Sequence, residues 1–161
     1  MGQLARRVIA DIQKDDFEDI WIAGDLLYKL KVENYRSGVD FVDIETITQE
    51  EGERLKEALI EAIQRTDNVD ILGSLIWTLG KSYDPSFKRL YIEYLIKFVI
   101  SGEASNHALY QTLIALANIG EDVFDKQETS QGTLNIEKNF KQAESYLATY
   151  NNLGHSTNHN R

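Results

Sequence analysis

The chain has 161 residues, no cysteine, one proline, and 26 acidic against 17 basic side chains, for a net charge of −9. These counts exclude a disulfide scaffold, a thiol nucleophile and a cysteine-based zinc site, and a hydrophobic content of 42% excludes an intrinsically disordered chain. The acidity argues against direct nucleic-acid binding, which needs a basic footprint, and the single proline argues against a turn-rich all-β domain.

In chain order, Leu4, Val8, Ile9 and Ile12 have the i, i+4 spacing of a short first helix. Arg6 and Arg7 interrupt its apolar run, so it does not read as a signal peptide. Asp15 or Asp16 is positioned to cap a second helix running to about Val32. Residues 33–47 break helical spacing and read as a long loop, with a short extended piece over 39–44. Thr48-Gln-Glu-Glu51 is a capping box, in which a hydroxyl and a carboxylate satisfy each other's backbone donors. It opens a third helix reaching about Arg65. Asp67 or Asn68 caps a fourth, ending near Lys81. Asp84-Pro85 places a capping acid before a proline at the first helical position, which starts a fifth helix. Gly102 ends it, Ser105 starts a sixth that closes at Gly120, and residues 121–133 read as loop. Asn135 opens the last helix, with Ile136, Phe140, Ala143, Leu147 and Tyr150 on one side. Gly154 is expected to stop it, leaving 155–161 as a polar tail and 1–154 as one domain. The apolar stretch Leu90–Ile100 is broken by Glu93 and Lys97, short of the roughly 18 residues of a membrane span. Residue 6 is not the Ser or Thr that N-myristoylation needs. No membrane partner is expected, and the cytoplasm is the default location.

The second helices repeat. Ile22-Ala-Gly-Asp-Leu-Leu-Tyr-Lys-Leu30 aligns with Ile71-Leu-Gly-Ser-Leu-Ile-Trp-Thr-Leu79, sharing Ile, Gly, Leu and the final Leu. The latter aligns in turn with Leu109-Tyr-Gln-Thr-Leu-Ile-Ala-Leu-Ala117, at an offset of 38. Each copy is the second helix of a pair. Helix pairs of this length, with a Leu-rich second helix ending near an Asp-bearing turn, resemble HEAT-like α-helical repeats over about residues 4–122. The resemblance implies an all-α fold: a short right-handed HEAT-like solenoid of three helix pairs, with the last helix as C-terminal cap. The first interval is longer, 49 residues, because the 33–47 loop is inserted. Insertions on one face of a repeat are often binding elements.

The alignment also divides the faces. Ile22, Leu26 and Leu30 recur as Ile71, Leu75, Leu79 and as Leu109, Leu113, Ala117, and with Ala23 and Leu27 they form the expected core stripe. The opposite face carries Trp21, Asp25 and Tyr28, then Asp70, Ser74 and Trp77, then Ala108, Thr112 and Ala115. In a right-handed stack this is the inner surface, acidic and aromatic at its N-terminal end. Residues 1–80 hold 17 acids and 9 bases, whereas 81–161 hold 9 and 8, so the excess charge sits in the first half. The inserted loop adds Tyr35, Asp40, Phe41 and Asp43. Aromatics beside acids have the composition of an interface hot spot, and opposite charge speeds association with a basic partner. The candidate partner-binding set is therefore Trp21, Asp25, Tyr28, Tyr35, Asp40, Phe41, Asp43, Asp70 and Trp77. The competing explanation is that Trp21 and Trp77 pack beneath a loop.

Catalytic patterns are scarce. His155 and His159 lie in the tail without a third ligand, and His107 at the start of the sixth helix reads as structural. No phosphate loop, nucleophile elbow or zincin pattern occurs. Gly24 and Gly73 occupy matching helical positions, which close helix packing explains. No enzyme, catalytic residue, metal or cofactor is expected. In size, acidity and repeat pattern the chain is similar to the small helical immunity proteins of contact-dependent inhibition and related polymorphic toxin systems. That resemblance implies an inhibitor that occludes a cognate cationic toxin domain, a C-terminal nuclease domain being the expected class. Two alternatives stay open: a scaffold or adaptor in a bacterial assembly, and a divalent-metal-dependent enzyme built on the acidic loop.

Overall fold

The computed structural model describes residues 2–32, 45–124 and 135–156. All regular structure among them is helical: α1 (Gln3–Gln13), α2 (Ile20–Lys31), α3 (Gln49–Arg65), α4 (Val69–Gly80), α5 (Lys88–Ser101), α6 (Asn106–Asn118) and α7 (Ile136–Ser156), with 3₁₀ turns before α5 and α6. No helix among the described residues is long and apolar enough to cross a membrane. The chain forms two compact units, residues 1–84 and 85–161.

In the first unit α1 packs on α2 and α3, and α4 packs on α2 and α3. The core follows the apolar stripes: Ala5, Val8 and Ile12 from α1, Ala23, Leu26 and Leu27 from α2, Leu55, Leu59 and Ile63 from α3, and Leu75, Ile76 and Leu79 from α4 are all buried. Leu30 and Ile71, both expected in the core, are half-buried at the ends of their stripes.

The helix starts show which capping signals the backbone used. The box at Thr48 forms completely: the Thr48 hydroxyl accepts from Glu51 N–H at 3.1 Å, and the Glu51 carboxylate accepts from Thr48 N–H at 3.0 Å. The same carboxylate accepts from Gly2 N–H at 3.0 Å, tying the α1 start to the α3 start. Glu45 adds a parallel tie, accepting from Ala5 N–H at 2.9 Å, and Ile47 beside it is buried. Asn68 caps α4 by accepting from Asp70 and Ile71 N–H. The start of α2 departs from the expectation. Neither Asp15 nor Asp16 caps it; the helix begins at Ile20 with Asp19 at the cap position and no side-chain cap bond. Asp15 instead takes a left-handed backbone (φ 60°) and pairs with Arg65 at 2.9 Å. Local backbone turning here overrides the spacing from which a cap is read.

The second unit is a three-helix arrangement in which α5, α6 and α7 pack on one another. Gly102 (φ 85°) and Gly120 (φ 91°) close α5 and α6 in left-handed conformations that favour glycine. Ser105 does not cap α6. Its hydroxyl turns back to donate to the carbonyls of Phe98 and Gly102. The small residues Ala108, Thr112 and Ala115 of the face opposite the core stripe are buried, whereas Ala117, expected in the core, is only half-buried. Asn135 caps α7 by accepting from Lys138 N–H, and Asn139 donates to Asn106 on α6. The helix passes through Gly154 and ends at Ser156, so that glycine is not the stop expected.

Candidate functional site

The site grows from the contact of α2 with α4. Gly24 lies where the two helices meet: a Cβ built there would be 3.7 Å from the Trp77 ring and from Thr78 Cγ2, and 3.4 Å from Lys81 Cγ. Asp70, Ser74 and Trp77 of α4 and Lys81 at its C-cap share one stripe at i, i+3 and i+4 spacing. They face Phe17, in the turn before α2, and Ile20, Gly24 and Tyr28 of α2 itself.

At one end of this seam the aromatics surround a lysine of the chain itself. The Lys81 ammonium sits 4.7 Å from the Trp77 ring centroid and 5.7 Å from that of Tyr28. Tyr83 tilts against Tyr28 with centroids 5.9 Å apart. It reaches that place by a left-handed backbone (φ 52°) just beyond the end of α4. Asp25 is half-buried beside this group. Burial raises its carboxyl pKa above the ordinary value, and the Lys81 charge offsets only part of the rise.

At the other end the seam opens into an apolar slot of about 210 Å³ lined by Phe17, Ile20, Asp70, Ile71, Ser74 and Leu75. Asp70 is exposed and lies in the first turn of α4. Trp21, next to Ile20, is 52% exposed, and among the described residues it is the one large apolar side chain of the first unit that is mostly in solvent.

The structure thus brings Asp25, Tyr28 and Trp77 together, with Asp70 further along the same seam. Tyr28 and Trp77 are half-buried rather than free, because Lys81 and Tyr83 already cover them. Trp21 is not packed away. Tyr35, Asp40, Phe41 and Asp43 lie outside the described residues. The sequence reading missed Lys81 and Tyr83. Lys81 was legible, since it follows Trp77 by one helical turn; Tyr83 was not, because only its positive φ brings it back onto α2. Phe17 and Ile20 were also missed, since the expected α2 start placed them inside a regular helix.

Among the described residues no group of three or more His, Asp or Glu side chains is placed to hold a metal ion. His107 is exposed in the first turn of α6. No protein-family model matches the chain, no curated protein matches it in sequence, and no solved structure matches it.

Proposed function

We propose that this chain is a protein-binding inhibitor, an immunity protein that neutralises a cationic toxin domain of the nuclease class by covering its basic active surface. The observation that carries the reading is the exposed Trp21 on the acidic unit. A tryptophan half in water is an uncommon way to leave so much apolar area on a monomer, and Trp is enriched among residues that dominate interface energetics. Around it the first unit holds 18 acids against 10 bases over residues 1–84. A surface of that sign attracts the same basic side chains with which a nuclease holds phosphates, so it competes with the nucleic acid for them. The contact of α1 with α3 and of α2 with α4 fits successive pairs of a HEAT-like stack. We extend the same reading to α5–α6 as a third pair, with α7 as the cap. Tyr35, Asp40, Phe41 and Asp43 of the inserted loop belong to the proposed interface.

The test is genetic. The neighbouring gene is expected to encode a protein whose C-terminal domain is basic and toxic when expressed alone. Co-expression of this chain is expected to relieve that toxicity and to yield a one-to-one complex that weakens with salt. Undiminished toxicity in the presence of the folded chain would contradict the proposal.

A further inference from the structure

We infer that the slot between the first turns of α2 and α4 anchors the partner, and that its occupant is one apolar side chain carried on a lysine- or arginine-rich segment of a cationic protein. The inference rests on the function proposed above and narrows where and how the partner is held. Phe17, Ile20, Ile71 and Leu75 give the slot apolar walls, and Ser74 and Asp70 supply its polar atoms. Its volume of about 210 Å³ falls below the roughly 300 Å³ at which small-molecule sites begin. It suits a single side chain rather than a cofactor. Ser74 points its hydroxyl back along α4, donating to the Asp70 carbonyl at 3.3 Å, so it presents little unsatisfied polarity to an apolar guest.

The rim sets the charge of the occupant. Asp70 lines the slot, Asp16 and Glu18 flank its wall residue Phe17 in the chain, and Asp67 stands three residues before Asp70; all four are exposed. Arg65 pairs with Asp15 and Arg7 with Asp19. Among the described residues, no lysine or arginine bridges Asp16, Glu18, Asp67 or Asp70. The two helix N-termini contribute about half a positive charge each, which four carboxylates outweigh. An acidic guest is therefore repelled, and so is a second copy of this unit, whose charge has the same sign. The opposite end of the seam is a poorer anchor, because Lys81 already occupies its aromatic rings.

The experiment uses the full chain, labelled with ¹⁵N, and three defined peptides: Lys-Lys-Leu-Lys-Lys, Lys-Lys-Ser-Lys-Lys and Glu-Glu-Leu-Glu-Glu. The leucine-bearing basic peptide is expected to shift the Trp21 indole signal and the amides of Ile71 and Ser74, while leaving the Trp77 indole signal in place. Replacing its leucine with serine is expected to weaken binding by about tenfold, the worth of burying most of a leucine side chain. Ser74→Leu, which fills the slot, is expected to abolish that difference. Asp70→Lys on the exposed rim is expected to weaken both basic peptides while the amide spectrum stays folded. Equal affinity of the leucine and serine peptides, or a concentration-dependent dimer that fills the slot, overturns the inference. If the basic peptides bind but shift only residues remote from the slot, the slot is wrong and the cationic partner stands. If only the acidic peptide binds, both fall.

Discussion

The Lys81 ammonium lies 4.7 Å from the centroid of the Trp77 ring, and the same side chain reaches the Tyr28 ring at 5.7 Å. This contact turns the acidic, aromatic face of α2 and α4 into two different ends. One is closed by the chain's own lysine. The other leaves Trp21 and an apolar slot open. Partner energetics are therefore expected to concentrate at the open end, although both ends share the residue types of a hot spot.

Lys81→Met keeps the aliphatic stem over the rings and removes the charge. A cation–π contact at a partly exposed site is worth about 0.5–1 kcal/mol, so the variant is expected to lose about 1 kcal/mol of stability in urea unfolding. Asp25 reports the same change independently. With the Lys81 charge gone, its already raised carboxyl pKa is expected to rise further in an NMR titration.

Asp25→Asn tests the sign of that burial. In the native chain Asp25 binds its proton more tightly than in the unfolded chain, so this group adds stability as pH falls through its raised native pKa toward the ordinary value of 3.8. The asparagine variant lacks that titration. It is expected to match or exceed the wild type near neutral pH and to lose the advantage in acid. Thermal melts across pH 3–8 read the crossing as the difference between the two curves.

The two ties at the start of α3 separate in the same way. Thr48→Ala removes an N-cap hydroxyl, and such losses cost about 1 kcal/mol. Glu51 has a lowered pKa, chiefly because it accepts from the Thr48 backbone N–H and also from Gly2 N–H. Its contribution is present above the ordinary value of 4.5 and is lost as pH falls through the lowered native pKa. Glu51→Gln is expected to flatten that part of the acid-unfolding curve, measured by circular dichroism.

Two glycines of the first unit predict opposite outcomes. At Gly24 an added Cβ meets its neighbours at 3.4–3.7 Å, ordinary contact distance. Gly24→Ala is therefore expected to gain about 0.5–1 kcal/mol from helix propensity. At Gly52 the added Cβ would lie 2.5 Å from Leu30 Cδ2, so Leu30 must move. Gly52→Ala is expected to lose about 1 kcal/mol despite the same propensity gain. Denaturant unfolding of the two variants, compared with the parent, reads the difference.

The all-helical class and the buried stripes were legible from apolar spacing, because core stripes such as Leu26–Leu75–Leu79 are set by burial, and burial leaves a periodic trace. The capping box at Thr48 and the cap at Asn68 were equally legible, since each is a local hydrogen bond between residues three apart or closer. The start of α2 was not. Asp15 has the composition of a cap, but its positive φ and its pairing with Arg65, fifty residues away, are tertiary facts. The site divides along the same line. Asp25, Tyr28 and Trp77 come together because they sit on matching helical stripes. That Lys81 and Tyr83 cover two of them, and that Phe17 and Ile20 open a slot at the far end, depends on where α2 begins and how the chain turns after α4.

The central claim is that Trp21 on this acidic unit anchors a cationic protein domain. Isothermal titration of the full chain with the basic C-terminal domain that the neighbouring gene is expected to encode tests it most directly, with Trp21→Ala and Tyr150→Ala compared side by side. Tyr150 is a partly exposed aromatic of the second unit and serves as the control. The account predicts one-to-one binding, a loss of affinity for Trp21→Ala of about thirtyfold or more, the size of a hot-spot truncation, and no change for Tyr150→Ala. Unchanged affinity in Trp21→Ala, with the variant folded and the complex intact, would contradict it.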